Sequence, residues 1–153
     1  MTSDVERLHN AIRSLSVLVS FGIMADCISP AMWVLKESAS VLYKVASLSS
    51  SSQAIAVCLL VSAALILPFV IMQLFYPDCH QRRQIIKIAT YGMILGASIW
   101  GLMAFLSRNL DYKFALWNFV FNGLVALTMA AIMANSLNDD QKEIMRDSQR
   151  ADL

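Results

Sequence analysis

Asp26 is the only charged residue between positions 15 and 35, in a stretch otherwise fit for the interior of a bilayer. A bare carboxylate at that depth costs several kcal/mol, so it must face protein or water, or carry a proton. Gly22, Asp26 and Pro30 recur at four-residue spacing with Ser29 beside them, which puts them on one helix face. Pro30 has no backbone N–H to donate, and this frees the carbonyl of Asp26 itself. A carboxyl and an unpaired carbonyl in one place suit a proton or cation site, or a polar tie to a neighbouring helix. Ties are the commoner use of polar groups inside bundles.

Amides that could answer this acid stand near the end of the chain. Asn118 and Asn122 are one helical turn apart, and Ala126, Ala130 and Ala134 continue the same ridge. The pairing expected first is Asp26 with Asn122, whose depths match; Asn118 lies closer to the interface. Arg82, Arg83 and Lys87 beside His80 form the densest basic cluster. They suit lipid headgroups or, as the plainer reading, fix topology.

Other chemistry is poorly represented. Cys27, Cys58 and Cys79 are far apart, with no CxxC pair for thiol oxidation. Cys79, His80 and the distant His9 make a poor zinc or haem set. No glycine-rich phosphate loop occurs, and no serine or threonine is placed with a base. No cofactor, no metal and no catalytic residue are therefore expected. A net charge of +1 with scattered basic residues argues against nucleic acid.

The elements that carry these residues are four apolar stretches at about 15–35, 54–76, 88–106 and 114–134, each near the roughly 20 residues that span a bilayer. A hydrophobic fraction of 58% against 15% charged residues leaves too little polar surface for a soluble domain. The fold class is all-α: one four-helix transmembrane bundle covering residues 1–153, with a charged cytoplasmic tail at 136–153. Arg7 and Arg13 before the first stretch allow a signal peptide, but its length and the acid at Asp26 favour a retained helix.

Lys and Arg are unequally divided between the two sides. Arg7, Arg13, Arg82, Arg83, Lys87, Lys142, Arg146 and Arg150 share one side, against Lys36, Lys44, Arg108 and Lys113. The positive-inside rule then puts both termini in the cytoplasm. Trp33, Tyr112 and Trp117 fall at the outer boundary, and Phe75 and Tyr76 at the inner one. Ser3 and Glu6 read as a capping box, so the first helix starts before the membrane. Apolar residues at helical spacing across 31–48 predict a short amphipathic helix after the first span, or a continuation of that span past Pro30. The serines at 49–52 follow as a flexible break, and residues 138–150 predict one exposed helix.

Close packing is written in the third stretch. Gly92 and Gly96 form a GxxxG pair, and Ala97 with Gly101 forms a second small pair on an adjacent face, so two neighbours could approach. Ala54, Cys58 and Ser62 offer a matching groove in the second stretch. Contacts inside the bundle are the better reading of these motifs, with self-association as the alternative.

Packing signals outnumber polar sites, and the favoured function follows from that. It is a non-enzymatic, small subunit of a bacterial-type inner membrane, acting through helix contacts as a scaffold, sensor, or exclusion or immunity-type protein. Its expected partners are the lipid bilayer and either further copies of itself or a larger membrane complex. The alternative is a small oligomeric channel or transporter using Asp26 as its proton or cation site.

Overall fold

Four long helices account for the computed structural model, which describes residues 2–36, 52–76, 80–108 and 113–151. They are α1 (Thr2–Lys36), α2 (Ser52–Phe75), α3 (Arg82–Ser107) and α4 (Lys113–Ala151). All four are long and apolar enough to cross a membrane, with candidate spans at Asn10–Met32, Ser52–Phe75, Arg82–Ser107 and Ala115–Asn138. The chain is thus an all-helical, multi-pass membrane protein. Two features extend beyond the predicted spans. α1 continues through Pro30 to Lys36, and α4 runs without a break into the charged tail. The amphipathic helix expected over 31–48 falls mostly on residues 37–51, outside the described residues.

Helices adjacent in the chain pack most closely: α1 on α2, α2 on α3 and α3 on α4, whereas α1 and α4 meet along a sparse seam. Neighbours run antiparallel. Arg13 in the first half of α1 reaches Gln73 at the end of α2, and Trp100 near the end of α3 stacks on Phe119 near the start of α4. The short connections after α2 and α3 allow no other arrangement of adjacent helices.

Small residues line the contacts. Cys27 and Ala31 of α1, Ala56 and Ser62 of α2, Ala89 of α3 and Ala126 of α4 are all fully buried. In lipid, where apolar surface gains little by meeting apolar surface, such residues let backbones approach and gain dispersion contacts. Large apolar side chains lie on both sides: Trp100, Phe119, Leu59 and Ile66 are buried, while Leu18, Phe21, Leu74, Tyr91, Phe105 and Leu124 face outward. So extensive an apolar exterior suits lipid better than water. Trp117, Phe75 and Tyr76 are also exposed, each close to a helix end, as interfacial aromatics are.

Candidate functional site

The predicted packing motifs occupy two faces of α3. A Cβ built on Gly92 would lie 2.8 Å from Leu65 Cβ and 3.0 Å from the Ser62 carbonyl oxygen, and one on Gly96 would lie 2.8 Å from Ser62 Oγ. The two glycines therefore face α2 inside the bundle. Ser62 Oγ donates a 2.7 Å hydrogen bond to the Gly92 carbonyl and lies 3.7 Å from the Cys27 sulfur, joining α1, α2 and α3 at one level. Cys58 is half-buried and Ala54 exposed, so only Ser62 of the predicted groove enters this contact.

The second face receives α4. A Cβ on Gly123 would lie 3.5 Å from Trp100 Cβ, 3.6 Å from the Ala97 carbonyl oxygen and 3.8 Å from the Gly101 nitrogen. Gly123 thus sits at ordinary contact distance from the backbone at Ala97 and Gly101, and the sequence gives it no second small residue four positions away in a GxxxG pattern. Gly101 itself is exposed, and nothing lies within 4 Å of a Cβ built there. Just above, the Trp100 and Phe119 rings stack with centroids 5.5 Å apart at 28°. Such a pair adds about 0.5–1.5 kcal/mol beyond its area.

Asp26 lies at the α1–α4 seam. It is exposed on the bundle surface and lines a cleft of about 380 Å³. Gly22 of α1, Asn122 and Phe121 of α4, and Trp100 of α3 as the floor share this cleft. Asp26 and Asn122 are thus brought to one site, although no hydrogen bond joins them among the described residues. The remaining walls are apolar: Leu18, Val19, Ile23 and Val125. Asn118 is exposed one turn from Asn122, while Ala126 and Ala130 turn inward and Ala134 outward. Among the described residues nothing lies within 4 Å of a Cβ built on Gly22, so none of them covers the helix face at that position.

A second cleft, of about 340 Å³, opens at the end of the bundle where α1 begins and α4 leaves, and all four helices line it. Arg13 of α1 and Arg82 of α3 both line it. Arg13 donates from Nε, at 3.2 Å, and from Nη2 to the Gln73 carbonyl oxygen in the last turn of α2, where helix carbonyls lack intrahelical donors. Arg83 and Lys87, grouped with Arg82 in the sequence, do not line this cleft; Lys87 is exposed and Arg83 half-buried, with its Nε buried and unpartnered among the described residues. Distance in sequence hid that Arg13 and Arg82 line one cleft. Among the described residues no three His, Cys, Asp or Glu side chains gather as metal ligands would.

Comparison with known proteins yields no matching family, no matching characterised protein and no matching solved structure.

Proposed function

We propose that this chain is a non-enzymatic subunit of a bacterial-type inner membrane that works through helix contacts, and that it associates with a second copy along the α1–α4 seam. The observation that carries this reading is an acid inside a membrane span, Asp26, standing exposed beside an open cleft. In hydrocarbon an exposed carboxyl with no partner is costly enough that another polar surface should cover it. A second copy supplies one. The seam cleft bears an acceptor at Asp26 and an amide donor at Asn122, with the exposed Asn118 one turn away on α4. A two-fold axis along the membrane normal keeps depths equal in both copies, so Asp26 of one can meet the amides of the other.

The apolar walls of the cleft favour this reading over permeation, because an ion path calls for several polar groups in series. The role is that of a scaffold, sensor, or exclusion or immunity-type component, with both termini in the cytoplasm. Full-length protein purified in mild detergent should have a protein mass of at least twice 17.0 kDa. A mass of one chain at concentrations near those in the membrane overturns self-association.

Orientation has its own test. A reporter active only in the cytoplasm should give signal when fused after Leu153 and none when the chain is cut after Ser50 and fused there. Equal signals contradict cytoplasmic termini, and with them the sidedness drawn from the eight-to-four division of Lys and Arg.

A further inference from the structure

We infer that the cleft between Arg13 and Arg82 binds the phosphate of an anionic phospholipid, held at the level where the bundle leaves the membrane. Two cationic side chains from helices far apart in sequence converge on one space, and no Asp or Glu among the described residues lines it. Arg82 makes no ion pair among the described residues. Arg13 is held in place by its bond to the Gln73 carbonyl, and a guanidinium has five N–H donors, so donors remain for a ligand. A bidentate guanidinium also matches phosphate geometry.

The backbone adds to the same field. Arg82 opens α3, the preceding Gln81 makes no side-chain cap, and no acid stands in the first turn. The helix dipole at this end favours an anion.

The rest of the cleft distinguishes a lipid from a free anion. Phe69 and Met133 form a buried apolar wall, and Ser136 adds a hydroxyl-bearing edge. Ile12 and Ile132 flank the cleft and are more than half exposed, so the cationic site is continuous with the lipid-facing surface. A volume of about 340 Å³ holds a headgroup but not a whole lipid. The acyl chains would lie outside, along the Ile12 and Ile132 rim. The inference does not depend on self-association.

The test uses the full chain in a non-ionic detergent, with binding read by native mass spectrometry and by the shift in thermal unfolding. The probes are dioleoyl phosphatidylglycerol, dioleoyl phosphatidylcholine with the same chains, and inorganic phosphate. Phosphatidylglycerol should bind about tenfold more tightly than phosphatidylcholine, and inorganic phosphate at equal concentration should neither bind detectably nor compete. Arg82→Gln should remove that preference. Lys87→Gln, an equal loss of charge off the cleft, should keep it. Ser136→Phe keeps every charge but fills the cleft, and it too should lose the preference.

Equal binding of the two lipids overturns the inference. So does equal loss in the Arg82 and Lys87 variants, which would show diffuse surface charge alone. Tight binding of inorganic phosphate would assign the site to a free anion and overturn the lipid. Should Arg82→Gln fail to fold, the Ser136 variant and the three probes on the parent still decide.

Discussion

Replacing Gly92 and Gly96 together with isoleucine should remove the folded protein from the membrane, not merely weaken its association. Position 92 has no room even for a methyl group: its Cβ would fall 2.8 Å from Leu65 Cβ and 3.0 Å from a backbone oxygen that cannot rotate away. Position 96 would press on Ser62 Oγ, which is committed to the Gly92 carbonyl. Overpacking by single methylenes already costs about 1–3 kcal/mol, and here two branched side chains must separate α2 from α3. A loss of about 3 kcal/mol or more is expected, read as a fall in accumulation and in resistance to denaturing detergent.

Two controls limit that interpretation. Ser62→Ala deletes the interhelical hydrogen bond without adding bulk, and should cost about 0.5–1.5 kcal/mol with the protein still accumulating. Gly101→Ile introduces the same side chain where no atom of the described residues lies within 4 Å of the Cβ, and should be tolerated by the single chain. A double glycine variant that accumulates normally would mean that α2 and α3 do not meet at these positions.

The helices were legible in the sequence because a bilayer imposes a one-dimensional rule, a minimum length of apolar chain. Their ends were less so. α1 passes through Pro30 because a membrane helix tolerates one missing bond, and α2 passes through Pro68 in the same way. Spacing marked Gly92 with Gly96, and Ala97 with Gly101, as small pairs on adjacent faces of α3. It could not say which neighbour each face meets, since that depends on the order of the helices around the bundle. The contact of α2 with Gly92 runs through Leu65, Ile66 and Ser62, and only Ser62 belonged to the groove proposed for α2. Arg13 shows the limit most clearly. In sequence it is one basic residue ahead of a span, whereas in three dimensions it joins the end of α2 and shares a cleft with Arg82, on another helix.

Asp26→Leu should leave a folded single chain and dissolve the association between chains. The Asp26 side chain is exposed and makes no hydrogen bond with Asn122, so its removal withdraws no internal hydrogen bond among the described residues. Leucine there would also suit lipid better than a carboxyl does. Between copies, each hydrogen bond across membrane helices contributes about 1 kcal/mol, and a two-fold contact holds two of them. Their loss amounts to about 2 kcal/mol, or about thirtyfold in dissociation constant. Asp26→Asn keeps the shape and can still bond to Asn118 or Asn122 of the other copy, so it should associate nearly as the parent does. Gly22→Ile tests the same seam without touching the acid: no described residue opposes a Cβ there, yet the side chain would occupy the shared cleft. It should behave as Asp26→Leu does, with an intact fold and lost association, measured by cross-linking in membranes and by mass in mild detergent. If Asp26→Leu still associates, or if the folded chain itself disappears, the carboxyl serves the bundle and not the seam. If Asp26→Asn folds and associates but abolishes a proton or cation flux that the parent supports in reconstituted vesicles, Asp26 titrates in function, and the channel or transporter reading displaces helix contact as the role of this chain.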